Sequence, residues 1–273
     1  SKIQSLALNH EGTIATILSD DGVVSAYRSY EYPVKEFIGL NGARIKSMKM
    51  SPDRQFLMVI DDQGSIQSIN LAEGQVELTI PATSNLNVDH VQWVGGMKPY
   101  ILVSQKEKTS GNHLTQQKVT LHTAGEEPKT LFQGAASVTR IFTSSAQAQV
   151  VLERKGDRGR KALEIYDVTD GRSQIKSLPL QGLKVETVVF DPTGNHLLIK
   201  PTSAKVAPIL YAIRDRSQAI ELRALGMDTL KRLIISNDGR YVLGQTAENI
   251  VEWSSIDGRV LQLFEKRGMN PIA

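Results

Sequence analysis

Met48-Lys49-Met50-Ser51-Pro52-Asp53-Arg54, continuing through Phe56-Leu57-Met58-Val59-Ile60 to Asp61-Asp62-Gln63-Gly64 and Ile66, restates an earlier stretch of the chain without a gap. The earlier stretch is Leu6-Ala7-Leu8-Asn9-His10-Glu11-Gly12, then Ile14-Ala15-Thr16-Ile17-Leu18, then Ser19-Asp20-Asp21-Gly22 and Val24, at an offset of 42 residues. Such self-similarity at a fixed period marks a repeat architecture. Each copy reads as a short alternating strand, a turn of the Asn/Ser-X-Asp/Glu-Gly type, a second apolar strand, and an Asp-rich turn closed by Gly22 or Gly64 into a third strand. Glycine supplies the positive φ that tight turns demand, while Pro and Asp favour their opening positions. One unit is therefore a meander of antiparallel strands.

The template returns twice more in clear form, as Val188–Ile199 around Asp191-Pro192-Thr193-Gly194 and as Leu233–Leu243 around Ser236-Asn237-Asp238-Gly239, with turn glycines 45 residues apart. Two degenerate copies lie between: Val91–Gly96 leading into Tyr100–Val103, and Thr139–Ser144 leading into Gln149–Leu152. The segments are short, β-branched and bounded by Gly, Asp and Asn, which is a strand signature. Helical periodicity over three turns is absent, and the most helix-like stretch, Ala219–Leu225, reads equally well as a strand. The expected fold is all-β: a β-propeller of about six four-stranded blades, with seven as the alternative. One domain spans 1–273, with approximate units 3–40, 44–80, 88–132, 137–180, 183–225 and 228–264. The pattern starts within a strand at Ile3 and stops after Phe264, as expected of a domain excised from a larger protein or of a mature form.

The alternating strand, the Ser-Pro-Asp turn of Ser51-Pro52-Asp53 and the Asp-X-Gly hairpin resemble WD40-like and YVTN-type propeller repeats over nearly the whole chain. Trp93 is followed by Val94 and Trp253 by Ser254, so the Trp-Asp signature is missing, as is Gly-His. The resemblance is to the looser, bacterial WD40-like class. It implies an interaction scaffold that presents loops to a protein partner. WD40-like inserts of this kind accompany bacterial transport permeases, phosphate transporters among them. The resemblance thus also implies, as a setting, the soluble extracytoplasmic part of a membrane-associated protein tethered through flanking sequence.

Composition narrows the chemistry. With 40% hydrophobic and 22% charged residues the chain can bury a core. A formal charge of +3 gives no strong nucleic-acid signal, and no run approaches the roughly 18 apolar residues of a spanning helix. The absence of cysteine excludes disulfides, thiolate metal sites and thiol nucleophiles, and favours a periplasmic over a cytoplasmic setting. His10, His90, His113, His122 and His196 lack chelating spacing, so no metal or other cofactor is expected. Asp20, Asp21, Asp53, Asp61, Asp62 and Asp238 recur at equivalent turns, which a structural role explains better than catalysis. No G-x-S-x-G elbow occurs, and Gly95-Gly96 leads into a strand without the helix of a phosphate loop. Trp93 and Trp253 are expected in the core.

One charge cluster remains: Arg154, Lys155, Arg158, Arg160 and Lys161, with Glu153 and Asp157, in a glycine-containing hairpin between the second and third strands of the fourth unit. It is the candidate partner-binding loop, against the plainer reading that a protruding hairpin carries charge to stay soluble. The polar insertion Lys106–Gln117 is expected to be a loop. The leading functional expectation is a non-catalytic protein-binding scaffold. The alternatives are a lactonase- or glycosidase-like propeller enzyme with an axial metal or carboxylates, and a small-ligand sensor.

Overall fold

A polar residue ends the first strand in five of the six repeats and folds the chain back on itself in the same way each time. The backbone N–H of Asn9, Ser51, Ser144, Asp191 and Ser236 donates to the carbonyl five residues on, at 2.9 to 3.1 Å. Their side-chain oxygens accept from the N–H groups inside the loop: Asn9 from Thr13 and Ile14, Ser51 from Phe56, Ser144 from Ala146 and Gln147, Asp191 from Thr193 and His196, and Ser236 from Tyr241. Short polar side chains satisfy the backbone groups that a tight turn would strand.

These turns, with the hairpins that follow, give six sheets in the computed structural model. It describes residues 2–9, 13–28, 35–37, 42–84, 86–96, 100–107, 116–135, 137–156, 159–168, 176–180, 182–203, 205–213, 219–223 and 230–265. Sheet 1 comprises β1 (Ile3–Leu8), β2 (Ile14–Ser19), β3 (Val24–Arg28) and β4 (Lys35–Phe37). Sheet 2 holds β5 (Ile45–Met50), β6 (Phe56–Asp61), β7 (Ile66–Asn70) and β8 (Gln75–Ile80). Sheet 3 holds β9 (Leu86–Val94), β10 (Tyr100–Glu107), β11 (Gln116–His122) and β12 (Lys129–Ala135). Sheet 4 consists of β13 (Val138–Thr143), β14 (Gln149–Lys155), β15 (Lys161–Asp167) and β16 (Lys176–Pro179). Sheet 5 consists of β17 (Val185–Phe190), β18 (His196–Pro201), β19 (Ile209–Ala212) and β20 (Ile220–Glu221). Sheet 6 consists of β21 (Arg232–Ile235), β22 (Tyr241–Gln245), β23 (Asn249–Ser254) and β24 (Val260–Glu265). Every sheet is four-stranded, with its strands paired in chain order. The stretch Ala219–Leu225 contributes only the two-residue strand β20, and positions 224–229 lie outside the described residues.

The first strand of each sheet except sheet 6 carries an extra residue near its start. The register slips between Ile3 and Ser5, Ile45 and Ser47, Val138 and Arg140, and Val185 and Thr187, and, read on β10, between Ser104 and Gln105. The unpaired residues, Gln4, Lys46, Asp89, Thr139 and Glu186, are all exposed. A bulge of this kind re-aims one side chain and leaves the rest of the strand on its faces.

The chain divides into two compact units, Ser1–Ser137 with sheets 1 to 3 and Val138–Ala273 with sheets 4 to 6. Within each, successive sheets pack face on. In the first unit Leu18 and Val24 meet Ile45, Leu57 and Ile69, while Met58 and Ile66 meet Val91, Trp93 and Ile101. In the second, Leu163 and Ile165 meet Val188, Leu197 and Ile199, while Leu198 and Leu210 meet Leu233, Val242 and Trp253. Both tryptophans are core residues. Trp93 Nε1 donates to the Lys49 carbonyl at 3.0 Å and Trp253 Nε1 to that of Arg223 at 3.1 Å, so each ring is pinned to the preceding sheet or the segment after it. Exposed apolar positions lie on β1 (Ile3, Leu6, Leu8) and along β24 (Val260, Leu261, Leu263, Phe264).

Candidate functional site in the second unit

Charge divides unevenly between the units. Residues 1–137 contain twelve Lys and Arg against fourteen Asp and Glu, whereas 138–273 contain twenty against fifteen. Much of the excess gathers at the bulged end of sheets 4 to 6, where first strands start, second strands end and the β14–β15 and β18–β19 hairpins turn. Lys155, Arg160, Lys184, Lys205, Lys231 and Arg232 are exposed there. None has a carboxylate partner among the described residues.

The hairpin singled out from sequence contributes to this end in two different ways. Arg154 is half-buried on β14 and pairs with Glu164 at 2.7 Å, and the Tyr166 hydroxyl donates to the same carboxylate at 2.9 Å. Burial first, then that hydrogen bond, drives the Tyr166 phenol well above its ordinary range. Lys161, at the start of β15, donates to Glu153 Oε1 at 2.5 Å. Lys155 and Arg160 project at the hairpin and are exposed. Arg158 lies outside the described residues, as do His10, His113 and most of the Lys106–Gln117 insertion.

Arg140 and Lys184 join from segments distant in sequence. Arg140, on β13, is stacked over the Phe142 ring with its guanidinium carbon 4.6 Å from the centroid. It donates to the Val185 carbonyl at 2.5 Å and to the Glu186 carbonyl, clamping sheet 4 to the bulge of sheet 5. Lys184 lies just before β17, and its carbonyl accepts from the Thr202 N–H at 2.8 Å. Together with Glu153, Arg160, Lys161, Leu183, Val185 and Thr202 they line a cleft of ≈ 850 Å³ between sheets 4 and 5.

Glu153 is the anomaly. It is 1% exposed on β14, where the repeat puts Leu18 in sheet 1 and Ile60 in sheet 2. Its carboxylate accepts from Lys161 and from the Thr139 hydroxyl at 2.8 Å, with Arg140 Nη1 at 3.9 Å. The next sheet repeats the substitution with opposite sign: Lys200, 8% exposed at the equivalent position, pairs with Glu186 at 2.7 Å. Comparing these positions across repeats was the available sequence signal for both.

Three other polar groups singled out by type have structural partners. Asp191 is fully buried in its turn. Burial would raise its carboxyl, but hydrogen bonds from the Thr193 hydroxyl and N–H and from His196 outweigh that and hold it below its ordinary value. Burial, helped by nearby Lys118, lowers the His122 imidazole, which contacts the Thr120 hydroxyl at 2.9 Å. His90 contacts Gln92 at 2.9 Å. Among the described residues no three His, Asp or Glu are grouped to hold a metal, and no helix is long and apolar enough to cross a membrane.

No protein-family model matches the chain. No curated protein matches it either. Among solved structures it is similar to the Dos1 propeller, with a TM-score of 0.58 and 11% identity over 99% of this chain and 71% of that one. At that identity the likeness speaks for the fold alone. Six four-stranded antiparallel sheets in chain order, superposing on a propeller along nearly their whole length, make this an all-β propeller.

Proposed function

We propose that the chain is a non-catalytic interaction propeller whose cationic end, on sheets 4 to 6, receives an acidic segment of a partner protein. Propellers commonly serve as scaffolds, and binding residues concentrate on loops held by a rigid frame. The observation that carries the reading is the set Lys155, Arg160, Lys184, Lys205, Lys231 and Arg232, exposed at one end with no carboxylate partner among the described residues. Unpaired like charge on one surface is electrostatically unfavourable for the isolated fold and favourable for meeting an acidic surface. An acidic protein segment is preferred over a nucleic acid because Phe264 alone among the described residues at this end is an exposed aromatic, whereas a single-strand platform stacks successive bases. We place the propeller on the extracytoplasmic side of a bacterial membrane-associated protein, a phosphate-type transporter permease being the setting that its repeat type favours. Membrane-spanning segments flanking it in the full gene are the corresponding check.

The test uses a polyglutamate peptide, with duplex DNA and phosphatidylglycerol vesicles in parallel. Lys155→Glu combined with Lys205→Glu should weaken peptide binding about tenfold or more, since both side chains are exposed and neither has a carboxylate partner among the described residues. Equal or tighter binding of DNA or vesicles, or a double variant that binds the peptide as the parent does, would overturn the proposal.

A further inference from the structure

The cleft between sheets 4 and 5 has a counterpart in the first unit. Ser47, Ile60, Gly64, Asn87 and Val88 line a cleft of ≈ 760 Å³ between sheets 2 and 3 at repeat-equivalent positions. Its shape therefore belongs to the repeat. Its chemistry does not. Where the first unit has Ser47, Ile60 and Asn87, the second has Arg140, Glu153 and Lys184.

We propose that the cleft between sheets 4 and 5 is a binding site for a small organic anion, an apolar body bearing one carboxylate or phosphate group. Three observations converge. The first is the charge placed against the pattern of the fold. The equivalent position holds Leu18 and Ile60 in sheets 1 and 2 and the neutral Ser104 and Gln245 in sheets 3 and 6, so a buried carboxylate here departs from the repeat, and departures of this kind concentrate at functional sites. The second is preorganisation. Glu153 holds the Lys161 ammonium at 2.5 Å, and the Val185 and Glu186 carbonyls hold Arg140, so an incoming anion meets cations already fixed in place. Cations fixed in advance lose little freedom on binding, which is where affinity for a small ligand is most often lost. The third is the match of surfaces. Half-buried Leu183 and buried Val185 supply apolar wall, and exposed Arg160 and Lys184 stand over it with no carboxylate partner among the described residues. A largely apolar cleft with a few convergent polar groups, and a volume of ≈ 850 Å³, has the form of a small-molecule site.

The cleft shares Arg160 and Lys184 with the protein-docking surface, but Lys155 and Lys205, the pair altered in the docking test, do not line it. Four probes are titrated calorimetrically into the purified chain: hexanoate, hexyl phosphate, hexanol and inorganic phosphate. At least one of the two amphipathic anions should bind one-to-one near about 1 mM, and comparing them identifies the headgroup. Hexanol and inorganic phosphate should each bind at least about tenfold more weakly, since each lacks half of the recognition. Lys184→Ala should weaken the anion about three- to tenfold, and Thr202→Trp, which fills the cleft while keeping its backbone bond to Lys184, should eliminate binding. Asn87→Ala, at the equivalent place in the first unit, should change nothing. Hexanol equal to hexanoate, inorganic phosphate equal to hexyl phosphate, or a Lys184→Ala variant with unchanged affinity would each overturn the proposal. Lys184→Ala decides the matter even if the bulkier Thr202→Trp fails to fold, because the Lys184 side chain is exposed and makes no ion pair or hydrogen bond among the described residues.

Discussion

Asp191 shows how much one turn residue can hold. Its carboxylate takes the Thr193 N–H at 2.8 Å, the Thr193 hydroxyl at 2.7 Å, the His196 N–H at 3.2 Å and the His196 ring at 2.9 Å, with no exposure to water. A carboxyl held below its ordinary value in the fold stabilises fully above the unfolded value, and the contribution is lost as pH falls toward the folded one. Asp191→Asn should cost about 2 kcal/mol near neutral pH, and the gap from wild type should close as pH falls below the ordinary carboxylate range. Urea titrations at several pH values measure this, and a gap that widens in acid would contradict it. The same turn meets its neighbour closely: a Cβ on Gly239, whose φ is +71°, would lie 3.1 Å from both Asp191 carboxylate oxygens. Gly239→Ala should therefore lose about 1–3 kcal/mol in thermal unfolding. Arg54 occupies the matching turn site in sheet 2 at φ 59°, so Arg54→Gly should lose nothing beyond about 1 kcal/mol. These turns were legible in the sequence because their residue types are dictated locally. That Asp191 is wholly buried was not, since burial depends on the neighbouring sheet.

At the scale of strands, sheet 4 keeps its Glu153–Lys161 pair where sheets 1 and 2 pack aliphatic side chains. Removing one partner of a buried pair strands the other, whereas replacing the buried charge with a fitting apolar group is often neutral or favourable. Glu153→Leu should leave the urea midpoint at or above wild type, because Lys161 and Arg140 both reach solvent. Lys161→Ala should lower stability by about 1–3 kcal/mol, since Glu153 cannot reach solvent. The reverse order of these two variants would show the pair to be a structural brace. The strands themselves were readable from alternation and turn residues, even in the degenerate Val91–Val103 and Thr139–Leu152 copies that fold as β9–β10 and β13–β14. The site was half readable. Sequence adjacency grouped Arg154 and Lys161 with Lys155 and Arg160, although Arg154 pairs with Glu164 and Lys161 with Glu153. It missed Arg140 and Lys184, which only the packing of sheet 4 on sheet 5 brings to the same cleft.

For the molecule as a whole, the weak overall charge of +3 conceals two opposite balances, with the first unit acidic and the second basic. Overall composition thus understates how strongly one end can attract an acidic partner. Raising salt from about 50 to 500 mM should weaken polyglutamate binding by about tenfold or more, chiefly through a slower association rate. A salt-independent rate in stopped-flow mixing would place recognition in apolar contacts instead.

The slipped register at the start of five first strands has an evolutionary corollary. Because the surplus residue stands outside the ladder, mutation at Gln4 or Lys46 spares the hydrophobic interior, whereas Thr139 and Glu186 also bond the buried Glu153 and Lys200, and with Asp89 the five present an amide, a cation, a hydroxyl and two carboxylates at one repeated address. Repetition of the unit thus supplies a row of editable letters, through which selection can rewrite affinity sheet by sheet wherever no buried charge leans on the letter.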